Sequence, residues 1–263
     1  MDLGIRNRVA LVTASSRGLG REVARRLAEE GARLCLCARG ADALRETAAW
    51  LRQQFQAEVL EVACDLTVES EVRALAHKAQ ARFGTVDILV ANSGGPPTGS
   101  FLEHDDERWK MAVDLNLLST VRLCREVIPM MTKNHWGRIV LMTSIAVKQP
   151  LDGLILSNSV RAAVIGLGKT LASELGPQGI LVNSVCPGYF LTDRVRDLAR
   201  ASAQKTGGNP EDLLERFARS SPLGRVGDPQ EFGSLVAFLC SERASFITGS
   251  TLAIDGGFCR SLM

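Results

Sequence analysis

The feature that most constrains this chain is the alternation of short apolar runs with longer amphipathic segments along its whole length. The segments carry apolar residues at helical spacing, as at Leu75, Ala79 and Phe83. The runs predict seven strands: Val9–Thr13, Arg33–Ala38, Val59–Cys64, Ile88–Ala91, Arg138–Thr143, Leu181–Cys186 and Thr251–Ile254. Because strands alternate with helices and are apolar throughout, they indicate βαβ units buried on both faces. The pattern predicts an α/β fold: a doubly wound parallel sheet of about seven strands, with helices on both faces.

Length and charge narrow the class of protein further. The 263 residues suit one α/β domain, so we expect residues 1–263 to form a single domain. The net charge is +2 and the basic residues are scattered, which gives no reason to expect a nucleic-acid partner. No run approaches the roughly 18 apolar residues of a membrane span, and the first residues lack the pattern of a signal peptide. We therefore expect a cytoplasmic protein with a small-molecule partner and no membrane partner.

The cysteines and histidines predict no metal site. There are 7 cysteines, an odd number without CxxC spacing, which argues against a disulfide framework and against zinc. Cys35 and Cys37 lie two residues apart in a predicted strand, so we expect both to be small buried thiols on one face of the sheet. The 3 histidines are far apart in the sequence.

One segment, residues 190–222, departs from the regular alternation. It is long and charged, contains Gly207-Gly208-Asn209-Pro210, and follows the sixth predicted strand. The carboxyl ends of the strands form the ligand crevice in an open α/β sheet. The segment is therefore a candidate substrate lid made of helices joined by a turn; the alternative is a solvated decoration.

The turn between the first strand and the first helix predicts a dinucleotide site. Small residues there allow the backbone to approach a pyrophosphate, and the helix N-terminus supplies free N–H groups. A glycine-rich turn in this position indicates a Rossmann-type domain. The residues of this turn that we expect to bind the cofactor are Thr13, Ser15, Ser16, Arg17, Gly18, Leu19 and Gly20.

The end of the second strand predicts which dinucleotide binds. A site for NAD(H) carries Asp or Glu there to bind the ribose 2′-hydroxyl, whereas this strand ends in Arg39. Arg17 and Arg39 together can bind a 2′-phosphate through charge-assisted hydrogen bonds. We therefore expect NADP(H) to be preferred over NAD(H); the alternative is that both arginines are simply solvated.

Several ordered motifs resemble those of the short-chain dehydrogenase/reductase family, and together they span nearly the whole chain. The glycine turn is similar to the family's TGxxxGxG, with Ala14 at the first glycine, and Asn92-Ser93-Gly94-Gly95 stands where the family has Asn-Asn-Ala-Gly. Further matches are Pro222–Arg225 and Ile254–Gly257. The broad similarity is to 3-oxoacyl-acyl-carrier-protein reductases. The resemblance implies adenosine contacts from Asp65, Leu66, Asn92 and Gly94, and nicotinamide contacts from Pro187, Gly188 and Thr192.

The resemblance fails at two catalytic positions. Asn116 and Ser144 match the family's catalytic asparagine and serine, but the tyrosine position falls on Ser157 and the lysine position on Arg161. A serine hydroxyl is a much weaker acid than a phenol, whose pKa is about 10, and arginine stays protonated. Arg161 can still bind the nicotinamide ribose and hold positive charge beside a developing alkoxide.

Tyr189 is the one tyrosine in the chain, and it directly follows Pro187-Gly188. It is a candidate for a relocated proton donor; the alternative is a packing residue at the pocket wall. A serine hydrolase is disfavoured, because neither lysine nor histidine accompanies the serines at this site.

Three functions fit the sequence. The first, which we favour, is an NADP(H)-dependent oxidoreductase that interconverts a carbonyl and an alcohol at a modified centre. The second is a weakened or inactive NADP(H)-binding sensor or partner protein, and the third is a scaffold without a ligand. Since family members are commonly oligomers, we also expect a homo-oligomer, a tetramer or a dimer.

Overall fold

The computed structural model describes residues 2–262, without the side chains of residues 201, 202, 205 and 206. One parallel sheet contains seven strands in the order β3-β2-β1-β4-β5-β6-β7. Their bounds are β1 Val9–Val12, β2 Arg33–Ala38, β3 Val59–Ala63, β4 Ile88–Ala91, β5 Gly137–Met142, β6 Ile180–Pro187 and β7 Thr251–Ile254. The predicted fold class is confirmed, and the strand bounds differ from the predicted ones by at most one residue at either end.

Helices cover both faces of this sheet. Their bounds are α1 Gly18–Glu29, α2 Ala41–Phe55, α3 Glu69–Phe83, α4 Asp106–Val113, α5 Ser119–Asn134, α6 Ile155–Leu175, α7 Asp193–Thr206, α8 Pro210–Ser220 and α9 Pro229–Leu239. One core cluster packs Leu27 of α1 and Phe232 of α9 against the sheet. A second packs Leu75 of α3 and Leu123 of α5 against the opposite face. This arrangement leaves the carboxyl edge of the strands open.

The strand order reverses between β1 and β4, and the chain leaves both strands at the same edge. Their parallel register pairs Val12 with Val90. The Thr13 hydroxyl donates to the Asn92 carbonyl at 2.6 Å, and the Asn92 N–H donates to the Thr13 hydroxyl at 2.8 Å. A crevice at such a reversal is the usual ligand site of an open α/β sheet.

Two helices, α7 and α8, lie within the segment 190–222. Gly207, with φ of +71°, ends α7 in the left-handed region. Asn209 begins α8: its side chain accepts the Glu211 N–H at 3.2 Å, and its own N–H donates to Asp212 at 3.2 Å, which completes a capping box. The lid function of this segment stays a prediction.

The cysteines are free thiols, and six of the seven are buried. Within residues 2–262, the structure contains no group of three or more His, Cys, Asp or Glu residues arranged to hold a metal ion. In the same range, no helix has the length and apolar character needed to cross a membrane.

Candidate active site

A cavity of about 710 Å³ lies at the carboxyl edge of the sheet, across the ends of β1, β2, β4 and β5. It brings together most of the residues predicted to bind the cofactor. Those that line it are Ser16, Arg17, Gly18, Leu19, Gly20, Arg39, Asp65, Leu66, Asn92, Gly94, Arg161, Pro187 and Thr192. The cavity can therefore accept an elongated ligand that extends from the end of β2 to the end of β5.

The glycine turn lets a ligand approach the backbone closely. Arg17 is the N-cap of α1 and its side chain makes no capping hydrogen bond, so the first N–H groups of α1 keep their capacity to bind an anion. Gly18 has φ of +58°, and a Cβ on Gly20 would overlap the Ala14 carbonyl oxygen. Ala14 itself has φ of +47°, a conformation that disfavours side chains and suits the glycine of the family pattern.

Thr13 and Ser15 lie behind the lining residues and fix the turn. The Cys37 N–H donates to the Ser15 hydroxyl at 3.2 Å, and this ties the turn to β2. Thr13 ties it to β4 through Asn92. Both residues are fully buried, so they position the turn rather than line the cavity.

The end of the cavity beside β2 is basic and solvent-exposed. Arg17 and Arg39 line it, and neither forms an ion pair with any acidic side chain of residues 2–262. Asp65 accepts hydrogen bonds from the Thr67 N–H at 2.9 Å and the Thr67 hydroxyl at 2.8 Å. These bonds, with a smaller contribution from the charge of Arg39, hold the pKa of Asp65 below its ordinary value. Asp65 is therefore ionised at neutral pH beside two free guanidinium groups.

Arg161 occupies the opposite end of the cavity. It projects from α6 and is almost fully buried, with a relative exposure of 7%. Its Nη1 donates to the carbonyls of Met142 at 3.0 Å and Thr143 at 3.1 Å, and its Nη2 donates to the Gly94 carbonyl at 3.3 Å. Burial lowers the pKa of Arg161 to about 10, with a further contribution from Arg194. The guanidinium therefore remains a cation at neutral pH.

Asn116 joins the same corner from a π-helical turn, Asp114–Leu118, between α4 and α5. Its Nδ2 donates to the Ser93 hydroxyl at 2.7 Å and to the Gly94 carbonyl at 2.8 Å. The Gly94 carbonyl thus accepts hydrogen bonds from both Asn116 and Arg161. The buried Asn116 Oδ1 has no hydrogen-bond partner among the described residues, and such turns often mark functional sites.

Ser144 and Ser157 flank Arg161 but do not line the cavity. Ser144 follows β5, and its hydroxyl accepts the Ala146 N–H at 3.2 Å. Ser157 lies one helical turn before Arg161 on α6, on the same helix face, and is buried with 7% exposure. The predicted serine and arginine positions therefore lie close together at the end of β5.

Tyr189 lies beside this end of the cavity without lining it. Its ring stacks on Phe217 of α8 with centroids 3.8 Å apart, and it meets Phe258 edge-on at 5.6 Å. Burial raises the pKa of its phenol. Gly188 is also absent from the lining and packs closely on Asp255.

Two features of the cavity were not predicted from the sequence. Arg194, in the first turn of α7, lines the cavity and lies against Gly95. Cys37 and Cys64 line the basic end, where a hydrogen bond between the two thiols lowers the pKa of Cys64 and raises that of Cys37. The sequence could have indicated Arg194 as a cavity residue, because it directly follows Thr192-Asp193 and Thr192 was itself predicted to contact the nicotinamide.

Comparison with known proteins decides the family. Residues 13–259 match the family model described as enoyl-(acyl carrier protein) reductase. The chain belongs to the short-chain dehydrogenase/reductase family. This membership confirms the resemblance stated from the sequence motifs.

Curated relatives of this short-chain dehydrogenase/reductase match it over nearly full length. The oxidoreductase UcpA of Salmonella typhimurium is 36% identical over 251 residues, which are 95% of this chain and 94% of that protein. The 3-oxoacyl-[acyl-carrier-protein] reductase FabG of Aquifex aeolicus is 30% identical over 257 residues, covering 98% of this chain and 99% of the relative.

Solved structures agree with this assignment to the short-chain dehydrogenases/reductases. L-Sorbose reductase from Gluconobacter frateurii, complexed with NADPH and L-sorbose, superposes with a TM-score of 0.97 at 36% identity and full coverage of both chains. A variant of the actinorhodin polyketide ketoreductase with NADPH gives a TM-score of 0.92 at 34% identity, covering 97% of this chain and 98% of that chain.

Proposed function

We propose that this short-chain dehydrogenase/reductase is an NADP(H)-dependent oxidoreductase that interconverts a carbonyl and an alcohol on a small molecule. Its catalytic centre is atypical, since Ser157 and Arg161 stand at the positions of the family's tyrosine and lysine. The observation that carries the proposal is the buried, charged Arg161 guanidinium in the same cavity as the glycine turn.

The cavity fits NADP(H). The glycine turn leaves room for a pyrophosphate where a Cβ on Gly20 would intrude, and the uncapped start of α1 favours its negative charge. Arg17 and Arg39 are free to bind a 2′-phosphate, and Asn92, Asp65 and Leu66 line the adenosine end. Two of the similar solved structures, L-sorbose reductase and actinorhodin ketoreductase, contain NADPH. When bound, the cofactor supplies the hydride.

Arg161 stabilises the reaction electrostatically rather than by proton transfer. With a pKa of about 10 it stays charged at neutral pH. Its hydrogen bonds to the carbonyls of Met142, Thr143 and Gly94 fix the guanidinium in place. A preorganised cation stabilises the negative charge that develops on a carbonyl oxygen as it is reduced. Ser157 contributes a hydroxyl beside it but is a poor acid.

The proton reaches the oxygen from water or from Tyr189. The raised pKa of Tyr189 keeps its phenol protonated but makes it a weaker acid, and its ring packs outside the cavity lining, so both observations favour water. Tyr189→Phe separates the two sources. A fall in kcat of about 10²–10⁴-fold assigns the donor to the phenol, and an unchanged kcat leaves water as the donor.

The second candidate is an NADP(H)-binding sensor or partner protein without turnover. It is favoured by one observation, the absence of a phenol among the described residues that line the cavity. A sensor binds NADPH but shows no carbonyl-dependent oxidation of it. Arg161→Ala then weakens binding and changes nothing else.

The decisive experiment measures NADPH oxidation by the purified protein across a panel of ketones, aldehydes and oxo acids. We expect slow turnover by the wild type. The double variant Ser157→Tyr with Arg161→Lys restores the family pair, and we expect it to raise kcat by about 10²–10⁴-fold. Tight NADPH binding without oxidation in either protein would establish the sensor instead.

We also propose that the protein is a homo-oligomer. Phe246 is fully exposed, and Phe101 and Leu102 are 65% and 92% exposed. Large exposed apolar residues of this kind are typical of protein interfaces when they form patches. Size-exclusion chromatography with light scattering should give a dimer or a tetramer, and a monomer at micromolar concentration contradicts the proposal.

A further inference from the structure

Two arginines from different helices converge at the end of the cavity beside β5. Arg161 comes from α6, and Arg194 comes from the first turn of α7. The Arg194 guanidinium lies against Gly95 so closely that a Cβ on Gly95 would be 2.6 Å from its Nη1. Both residues line the same cavity, and the charge of Arg194 contributes to the low pKa of Arg161.

No acid neutralises this pair. Within residues 2–262, neither Arg161 nor Arg194 forms an ion pair. Asp193 and Asp197 also line the cavity, but neither forms an ion pair with Arg161 or Arg194. Asp197 instead accepts a hydrogen bond from Arg200 at 3.1 Å. Arg161 is buried, whereas Arg194 is solvent-exposed. A buried cation without a counter-ion is costly, so Arg161 favours an anion beside it.

Arg161 also keeps donors for such an anion. Its three hydrogen bonds go to backbone carbonyls, and a guanidinium carries five N–H donors in a planar fork. This fork matches the two oxygens of a carboxylate. The Arg194 guanidinium lies against Gly95, and the Arg161 Nη2 donates to the neighbouring Gly94 carbonyl, so an anion beside these glycines can contact both arginines.

Arg161 lies away from the pyrophosphate position. The pyrophosphate belongs at the glycine turn, which follows β1, whereas Arg161 is bonded to the last residue of β5 and to Thr143. Strands β1 and β5 are separated by β4. Since adjacent strands are about 4.8 Å apart, Arg161 lies about 10 Å from the glycine turn. The Arg194 guanidinium lies against Gly95, just past the intervening strand β4, and is closer to that turn. The nicotinamide and its ribose bring no anionic group to this end.

We propose that Arg161 and Arg194 form a binding site for a carboxylate of the substrate, so that the substrate is an oxo acid or the corresponding hydroxy acid. This inference rests on the proposed function. Arg194 is then the residue that selects anionic substrates, while Arg161 serves both the carboxylate and the reacting oxygen.

The first test compares oxo acids with their uncharged primary amides. Pyruvate and acetoacetate, with the matching amides, serve as substrates for NADPH oxidation. We expect wild-type kcat/KM to favour each acid over its amide by at least about tenfold. Arg194→Met should reduce this acid-to-amide ratio by about 10–100-fold, as expected for a lost charge-assisted hydrogen bond. Arg194→Lys should restore part of it.

Arg196→Met is the matched control, because Arg196 lies two residues further along α7 and does not line the cavity. Its acid-to-amide ratio should equal that of the wild type. Equal wild-type rates for acids and amides would overturn the proposal. So would an Arg194→Met variant whose NADPH affinity falls while the ratio stays constant, since that result assigns Arg194 to the cofactor.

A second test needs no turnover. Oxamate, a carboxylate that is not reduced, is titrated calorimetrically into the NADPH complexes of the wild type and of Arg194→Met. Binding by the wild type that is lost in the variant supports the anion site even if no carbonyl compound is reduced, in which case only the proposed function fails. Turnover of neutral carbonyls with no oxamate binding overturns the anion site and leaves the proposed function standing.

Discussion

At the scale of single residues, Gly20 leaves no room for a side chain. A Cβ there would overlap the Ala14 carbonyl oxygen and lie 2.9 Å from the Asn92 Nδ2. Because the obstacle is backbone, the turn itself has to move. We expect Gly20→Ala to lower the free energy of unfolding by about 1–3 kcal/mol and to weaken NADPH binding at least tenfold. Urea unfolding and calorimetric titration measure the two effects.

Gly94→Ala is the control for this prediction. Gly94 lines the same cavity, but a Cβ there would meet no atom within 4 Å. We expect its stability to stay within about 0.5 kcal/mol of the wild type. If both variants lose stability equally, the loss in Gly20→Ala does not come from overlap of the new Cβ with the Ala14 carbonyl oxygen.

Arg39 offers a test of cofactor choice at the basic end of the cavity. Arg39→Asp replaces a free guanidinium by a carboxylate, the group that NAD(H) sites use to bind the ribose 2′-hydroxyl. The Kd for NADPH should rise by about 10–100-fold, and the Kd for NADH should fall or stay constant.

The matched control for this variant is Arg45→Asp, which makes the same charge change on the exposed face of α2, outside the cavity. It should leave the ratio of the two Kd values unchanged. A similar loss of affinity for NADPH and for NADH in Arg39→Asp would show that Arg39 does not bind the 2′-phosphate.

The sequence could predict residues whose position follows from a strand end, and it could not predict those set by packing between distant segments. Arg39, Asp65 and Asn92 directly follow β2, β3 and β4, or lie one residue further on, so their place at the carboxyl edge was predictable. Arg194 reaches Gly95 only because α7 packs over the turn after β4. That contact joins segments about 100 residues apart, and no local pattern encodes it.

At the scale of elements, α9 shows how a helix start responds to pH. The Asp228 side chain accepts the Gln230 N–H at 2.8 Å, and Glu231 accepts the Asp228 N–H at 2.8 Å. Arg225 donates to both Glu231 oxygens, at 2.6 and 2.8 Å. The bonds from Arg225, followed by the bond from the Asp228 N–H, lower the pKa of Glu231 from 4.5 to about 2.

Glu231 therefore stabilises the protein only when it is ionised. Because its pKa is lower in the folded state than in the unfolded chain, its contribution is complete above pH 4.5 and is lost as the pH falls towards about 2. We expect Glu231→Gln to have a lower Tm than the wild type above pH 5, with the difference shrinking below pH 4.5. Solvent exposure keeps the effect small.

The arginine partner provides a check on this pH dependence. Arg225→Gln removes the leading cause of the shift, so most of the pH dependence of the difference should disappear in that background. A difference that is constant from pH 7 to pH 2 contradicts the role of Glu231.

The sequence predicted the strands more accurately than the irregular helical turns. The strands were predicted to within a residue because their apolar runs are short and most are bounded by polar or glycine residues. The edge strands β3 and β7 are only partly buried. The π-helical turn at Asp114–Leu118 was not predicted, since its hydrogen bonds depend on how α4 and α5 meet rather than on local composition. It is the element that carries Asn116.

At the scale of the whole molecule, the sheet fixes one wall of the cavity and the segment 190–222 covers the other. Thr192, Asp193 and Arg194 of this segment line the cavity. Phe217 of α8 stacks on Tyr189, which lies two residues after the end of β6.

The segment is attached at its start by Phe190, which meets Phe232 of α9 edge-on at 5.5 Å, and at its end by the Ser221 hydroxyl, which donates to the Gly256 carbonyl at 2.8 Å. Between these points, the aromatic stack attaches α8 near the cavity. We propose that this stack holds the segment over the substrate as a lid.

Phe217→Ala tests the lid. Stacked aromatic pairs contribute about 0.5–1.5 kcal/mol beyond their buried area, so the segment should open more often without a large change in the Tm of the whole domain. Trypsin should then cleave the segment of the variant faster than that of the wild type, at Arg216 and Arg219. Saturating NADPH should slow this cleavage more in the wild type than in the variant. The KM for a reduced carbonyl should rise more than kcat falls, because an open lid weakens substrate binding first. Leu198→Ala is the matched control, since Leu198 lies on α7 in the same segment, is 45% exposed and takes no part in the stack. If the two variants show the same cleavage rate and the same KM, the Tyr189–Phe217 stack does not hold a lid, and the segment is a solvated addition to the fold.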